Sequence, residues 1–332
     1  MSNKKYHRVF VDGCFDLCHF GHYNFIRQAS QLGDELYAGV HNDEEILKNK
    51  GPVVLTLEER IEMIEACKWV TKTVPDSPYN VTTYWLDKYN CDCNVHGDDL
   101  ALNADGVECH EPVRRAGRFE TVPRTKAIST TNLIGRILRL SNSELPEELR
   151  KDLNTKGYLP STFLISHFSS LNEPKKTDVI VYCDGTFDML HPGHVSFLKK
   201  AKQMGTYLVV GIHEDKDVIS HGKKKPIMNI HERVLNLLAL KYVDDVIIGA
   251  PYVINEELIQ QVVPAIVVEG SNLECVIRDE CYEIPKKLGI YKKIESDYPE
   301  FTSQTIINRI LDNYNAYIER NALRENLPCE NI

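Results

Sequence analysis

The chain has no apolar run approaching the roughly 18 residues that a bilayer-spanning helix needs. Its N-terminal stretch, MSNKKYHRVFVDG, has no apolar core of the kind found in secretory signals. Glycine (18) and proline (15) are sparse in 332 residues and 42% of the chain is hydrophobic, which excludes collagenous and disordered classes. Ten cysteines are too dilute for a disulfide framework. Cys14, Cys18 and Cys183 lie in or beside apolar runs, as buried thiols do. Cys91-Asp-Cys93 has no second Cys/His pair at zinc spacing behind it. Basic residues are outnumbered 39 to 48, giving a net charge of -9, so the broad basic face that nucleic acid requires is missing. The reducing cytoplasm is the expected compartment, and any anion must be held by a local group of cations.

What the chain does have is an internal repeat. VDGCFDLCHFGH (11–22) recurs as CDGTFDMLHPGH (183–194), so that Asp12, His19 and His22 match Asp184, His191 and His194 at a constant offset of 172. Beyond one inserted residue the offset is 173, pairing Lys50 with Lys223, Arg60 with Arg233 and Arg136-Ile-Leu with Arg309-Ile-Leu. A period this long is a duplicated domain rather than a solenoid. The expected organisation is a first domain over 1–140, a linker over 141–176, a second domain over 177–315 and a tail over 316–332. Tyr158-Leu159 and Phe163-Leu-Ile165 are apolar enough for part of the linker to dock on a domain.

Strand and helix signals alternate within each repeat. RVFVDG reads as a buried strand, HYNFIRQASQLG as a helix ending at Gly33, and ELYAGVH as a second strand. TLEERIEMIEACKWV is a helix with a capping box from Thr56 to Glu59. TKTVPDS, CDCNVHGD and FETVPR complete the strands, and STTNLIGRILRL is the last helix. Such alternation implies a doubly wound parallel α/β sheet in each repeat. Ligands then bind beyond the carboxyl ends of the strands, where His19, Asp98 and Arg124 fall.

The sharpest chemical signal is His19-Phe-Gly21-His22 at a helix mouth directly after the first strand. Free N–H groups and the dipole favour phosphate there, and two imidazoles three residues apart can donate to oxygens that gain charge in a transition state. Gly21 is expected to let the backbone approach a ligand closely. Lys50 is read as the end of a loop (LKNKG) able to follow phosphates. Arg124 offers a planar guanidinium fork, and Ser129 and Thr130 add neutral donors. Asp98 and Asp99 can hold Mg²⁺ through water, accept from a nucleotide, or cap a turn.

HxGH after a first strand, with Arg124-Thr-Lys-Ala-Ile-Ser129-Thr130-Thr131 at the far end, resembles the cytidylyltransferases, whose second signature is RTxGISTT. Ala127 stands where that family has glycine. The resemblance covers both repeats and implies two tandem Rossmann-like nucleotidyltransferase domains. It implies catalysis by His19, His22, Lys50 and Arg124, in a CTP pocket that adds Cys14, Phe15, His96, Gly97, Asp98, Thr125, Ser129 and Thr130. It further implies CTP as one substrate, Mg²⁺ as cofactor with Asp98 as its ligand, and a homodimer as one expected assembly. The tandem arrangement and VHGDD (95–99) resemble the branch acting on phosphoethanolamine. Tyr79, Tyr84 and Trp85 could serve a choline cage, so pocket composition leaves phosphocholine open as a substrate. The roughly twenty residues after the second repeat lack the long amphipathic tail of the choline enzymes. An adenylyltransferase, a nucleotide-binding scaffold and a zinc-binding interaction protein are the remaining readings.

The second repeat keeps His191, His194 and Lys223, with Thr186 and Phe187 as further nucleotide contacts. At offset 173, however, His96-Gly-Asp-Asp becomes Glu269-Gly-Ser-Asn and Arg124 becomes Asp297. The expectation is a second domain that packs against the first and is weak or dead in catalysis.

Overall fold

The computed structural model describes residues 4–125, 128–141, 161–170, 172–271 and 279–325. The chain divides into two compact units, Met1–Tyr158 with Thr305–Ile332, and Leu159–Gln304. Its last helical stretch thus belongs with the first unit, although the sequence repeat assigns part of it to the second.

The first unit runs β1 (Tyr6–Gly13), α1 (Phe20–Ser30), β2 (Gly33–Val40), α2 (Asp43–Lys50), α3 (Leu57–Glu65), β3 (Lys72–Val74), α4 (Thr83–Lys88), β4 (Cys93–Gly97), α5 (Glu111–Arg115), β5 (Phe119–Val122) and α6 (Thr130–Ser141). The strands form one five-stranded sheet in the order β3-β2-β1-β4-β5, and every pairing is parallel. β1 is central and fully apolar at Val9, Phe10 and Val11, as a strand covered on both faces must be. The winding reverses between β1 and β4, so the crevice of a doubly wound sheet opens at their carboxyl ends.

The second unit contains α7 (Ser161–Phe168), β6 (Ile180–Gly185), α8 (Pro192–Lys202), β7 (Tyr207–Ile212), α9 (Asp215–Ser220), α10 (Ile230–Leu238), β8 (Asp245–Ile248), α11 (Glu256–Val262), β9 (Ile266–Gly270), α12 (Glu283–Lys287), β10 (Tyr291–Ile294) and the start of α13 (Ser303–Asp312). α14 (Tyr314–Glu325) follows and lies in the first unit. The second sheet, β10-β9-β6-β7-β8, is the same parallel order. The repeat read from the sequence is therefore a repeat of one doubly wound α/β fold.

One detail differs from the sequence reading, and the expected docking of part of the linker holds. Lys50 closes helix α2 rather than sitting in a loop. Asn42 caps that helix by accepting from the Glu45 N–H at 2.8 Å, three acidic residues fill its first turn, and Lys48 and Lys50 fill its last. With Ile46 alone buried, it has no apolar stripe to reveal it. In the linker region, α7 packs on α10 through buried Leu164 and Phe168 while Phe163 is exposed. Tyr158-Leu159 and most of the remaining linker lie outside the described residues, as do Lys126, Ala127 and the last seven residues. Among the described residues no helix is long and apolar enough to cross a membrane.

Candidate active site

The turn between β1 and α1 is built on backbone that L-residues rarely adopt. Phe15 and Leu17 have φ of 52° and 47°, and their counterparts Phe187 and Met189 repeat this at 49° and 46°. Left-handed non-glycine residues cost roughly 1–3 kcal/mol each and persist where the surroundings fix them. Here Asp16, buried between them, accepts the N–H groups of Val54 and Leu55, both at 2.9 Å. Arg60, fully buried, donates to the Cys14 and Leu55 carbonyls at 2.7 and 3.2 Å and to Asp43 at 2.5 Å.

This turn delivers His19 as the N-cap of α1. Its Nδ1 accepts from the Gly21 N–H at 3.1 Å, and the His22 Nδ1 accepts from the His19 N–H at 3.4 Å. The pair forms a capping box made of two imidazoles, stacked at 3.9 Å between centroids. A nitrogen that accepts an N–H carries no proton of its own, so these bonds assign both neutral rings the Nε2–H tautomer. Burial pushes His19 well below its ordinary value, with the His22, Arg124 and Arg136 charges acting in the same sense. Burial and then the Lys50 and Arg124 charges push His22 down to about 3. Gly21 also has a packing role within the turn itself. A Cβ there would stand 2.9 Å from the His19 ring and 3.0 Å from Ile128, so glycine makes room for the imidazole itself.

The Lys50 and Arg124 charges both act on His22, and the Arg124 charge on His19, so the two cations lie within electrostatic reach of the histidine pair. The Lys50 charge also reaches Cys14, His41, His96 and Cys109, and its ammonium lies 5.4 Å from the Tyr79 ring centre. The Arg124 guanidinium pairs with Asp99 at 3.0 Å, and its backbone N–H donates to Asp98 at 2.9 Å. Asn24 of α1 donates to Thr125 at 2.9 Å, tying the Arg124 segment to the helix that carries the histidines.

A polar network that the sequence reading left out lies on the strand tips behind this group. Asp12, at the end of β1, accepts from Asn94 at 2.8 Å and from His110 at 3.5 Å, and stands 3.5 Å from His41. Burial alone would raise its carboxyl, but His110, His41 and His96 around it hold it well below the usual carboxylate range. His41 donates from Nδ1 to the Ser77 carbonyl at 3.0 Å. His96 and His110 pack ring to ring at 4.4 Å. The sequence did contain a signal for Asp12 and His41, since both recur in the second repeat at offset 172.

The cytidylyltransferase-like family matches residues 10–136 and 182–320. The chain belongs to that family. It is 42% identical over 98% of its length to the ethanolamine-phosphate cytidylyltransferase of Dictyostelium discoideum, covering 96% of that protein. It is 39% identical to the mouse enzyme of the same name over 96% of its length, covering 89% of the relative. Choline-phosphate cytidylyltransferase 2 of Arabidopsis thaliana is 41% identical, but over only 40% of this chain and 45% of its own.

Within this cytidylyltransferase-like chain, the predicted residues divide into two groups. His19, His22, Lys50 and Arg124 come together. Others are tied into the scaffold: the Cys14 carbonyl accepts from Arg60, and Phe15 is buried edge-on against His22 at 5.8 Å. Ser129 caps α6 by accepting from the Asn132 N–H at 3.1 Å, and the Thr130 hydroxyl donates to the Asp16 carbonyl at 3.0 Å. Half-buried His96 contacts Phe25 at 6.3 Å, and a Cβ on Gly97 would overlap Asp99. Asp98 gives one carboxylate oxygen to Arg124, and among the described residues no group of three His, Cys, Asp or Glu gathers to hold a metal. A resident Mg²⁺ cage does not fit this donor set.

The second cytidylyltransferase-like segment keeps the frame and changes the contents. Asp188 accepts from Ile227 and Met228 as Asp16 does from Val54 and Leu55, and Arg233 donates to the Thr186 carbonyl at 2.7 Å as Arg60 does to that of Cys14. His191 and His194 stack at 3.7 Å, with Phe187 at 5.3 Å from the His194 ring and the Lys223 charge reaching it. Yet His191 makes no side-chain cap bond, and both Nδ1 atoms are buried without a hydrogen-bond partner. Glu269, where the first unit has His96, accepts from Tyr291 at 2.5 Å. Asp297 does not occupy the place of Arg124. It accepts from Ser196 at 2.8 Å, as Thr125 does from Asn24, and both members of each pair stand 172 apart. The alignment slips by one residue here, Arg124 corresponds to Ser296, and Lys200 pairs with Asp297 at 2.6 Å. Neither alignment supplies a guanidinium.

Proposed function

We propose that the first unit transfers the cytidylyl group of CTP to phosphoethanolamine, giving CDP-ethanolamine and pyrophosphate, a step toward phosphatidylethanolamine. The observation that carries this is the pair of neutral, Nδ1-anchored imidazoles, His19 and His22, flanked by the cations Lys50 and Arg124. A phosphomonoester, with its second pKa of about 6, is already largely a dianion at neutral pH and needs no general base. One of its oxygens attacks the α-phosphorus, the bond to the bridging oxygen breaks, and pyrophosphate leaves with the electron pair. The two Nε2–H groups donate to the non-bridging oxygens as charge builds on them, while Lys50 and Arg124 hold the β- and γ-phosphates. Mg²⁺, the expected cofactor, would enter in this reading with the nucleotide, as the counter-ion of its phosphates.

Phosphoethanolamine is preferred over phosphocholine because relatives named for ethanolamine span nearly the whole chain and the choline relative spans less than half. The second unit is read as weak or inactive, with Thr186, Phe187, His191, His194 and Lys223 as its remaining nucleotide contacts. A reducing, cytoplasmic setting agrees with the free thiols of Cys14, Cys18, Cys91, Cys93 and Cys109. Pyrophosphate release with CTP, comparing phosphoethanolamine with phosphocholine and CTP with ATP, tests the assignment. Faster release with phosphocholine or ATP would overturn it. Sizing of the purified chain decides between monomer and homodimer.

A further inference from the structure

Lys50 is followed by Gly51-Pro-Val-Val-Leu55, a segment without regular structure that leads into α3. Gly51 caps α2 at φ 91°, outside the range of ordinary L-residues. What fixes this segment comes from both ends of the chain. Asp16 takes the N–H groups of Val54 and Leu55. The carbonyls are taken from far away in sequence: Arg320 of α14 donates to Pro52 at 2.7 Å, and Arg309 of α13 donates to Val54 at 3.1 Å. Arg309 also grips Glu59 with both guanidinium nitrogens, at 2.5 and 2.8 Å, and Glu59 in turn accepts from the Thr56 N–H at 2.9 Å in the capping box of α3. Arg320 is 7% exposed, its stem runs over Gly51, and its guanidinium lies 5.8 Å from the Tyr317 ring centre. A buried guanidinium on a backbone carbonyl is a strong and directional tie.

We propose that Arg309 and Arg320, in the last helices of the chain, are positioning residues that lock the Gly51–Leu55 segment and thereby set the Lys50 ammonium against the triphosphate. The closing helices are then part of the first unit's catalytic apparatus. This rests on the reading of Lys50 as a phosphate ligand. Residues over 250 positions away hold the backbone on which that side chain stands, which makes the first repeat incomplete without the end of the chain.

The test uses the full chain in four forms: wild type, Arg320→Ala, Lys50→Ala and the double variant. Arg320→Ala is expected to lower kcat/KM for CTP about tenfold or more, with the thermal midpoint little changed and KM for phosphoethanolamine within about twofold. In the Lys50→Ala background the same change is expected to cost less than about twofold, because the group it positions is gone. Arg320→Lys, which can still reach the Pro52 carbonyl, should recover part of the loss and serves as the reading variant if Arg320→Ala does not fold. Multiplicative losses in the double variant, or full activity in both Arg320 variants, would overturn the proposal. Should Lys50→Ala itself be fully active, the phosphate reading fails instead. Amide exchange over 51–55 then decides the mechanical part: faster exchange in Arg320→Lys or Arg320→Ala upholds it, and unchanged exchange refutes it.

Discussion

The His22 ring accepts the N–H of His19 while lying stacked on the His19 ring at 3.9 Å. Each imidazole thereby has its Nδ1 occupied by the helix mouth, which leaves the proton on Nε2. Protonating either ring would break the cap and place a cation beside Lys50 and Arg124. Both histidines are therefore expected to stay neutral from pH 8 to pH 5 in nitrogen-detected NMR. Titration of either ring near 6.5 would contradict the assignment.

The same depression has a consequence for stability. Burial pushes His22 and His194 down to about 3 and His41 down to about 4. In the unfolded chain these rings protonate near pH 6.5, so the unfolded state binds more protons below that value. Stability is then intact above about pH 6.5 and falls as pH drops toward 4, by about 1.4 kcal/mol per group per pH unit. Asp188, raised by burial to about 6, opposes this, since its protonated form favours the folded state between about pH 6 and its unfolded value. Asp16, also raised by burial, acts in the same sense as Asp188, but the three histidines outweigh the two carboxyls, and the urea midpoint should fall between pH 7 and pH 5. An unchanged midpoint would contradict the burial of these rings as neutral bases.

Gly21→Ala tests the packing of the pair. The added methyl meets the His19 ring and Ile128 at 2.9 and 3.0 Å, and neither is a flexible side-chain end. Turnover should fall by about a hundredfold, as for a displaced transition-state donor, while the fold survives. Steady-state kinetics alongside circular dichroism reads this directly.

In the proposed reading Arg124 holds the nucleotide rather than the fold. Its side chain is 40% exposed and paired with Asp99, so Arg124→Ala should leave stability within about 0.5 kcal/mol. KM for CTP should rise at least about tenfold, with KM for phosphoethanolamine unchanged. A rise confined to phosphoethanolamine would reverse the roles given to the two substrates.

The duplicated α/β architecture was legible because the strands are apolar runs and the repeat is marked by residues the turn cannot do without. His19 and His22 were legible for the same reason, whereas Arg124, which the second repeat does not keep, stood out only through the resemblance of its segment to the cytidylyltransferase signature. Lys50 was found, but α2 was not, since a capped and charged helix with one buried residue leaves no periodic trace. The histidine-rich surroundings of Asp12 were missed because Asn94, His41 and His110 converge from three separate stretches of chain. The one-residue slip at Asp297 was invisible to a gap-free alignment and emerged only from the matching Ser196 and Asn24 hydrogen bonds. The clasp of Arg309 and Arg320 on Val54 and Pro52 crosses more than 250 residues, beyond any local pattern.

The most direct test is pyrophosphate release from CTP and phosphoethanolamine by two double variants of the full chain. His19→Ala with His22→Ala should lose about three orders of magnitude or more, as expected when transition-state donors are removed together. His191→Ala with His194→Ala should keep activity within about threefold. Equal losses in the two variants, or near-normal turnover in the first, would contradict the placement of the chemistry in the leading unit.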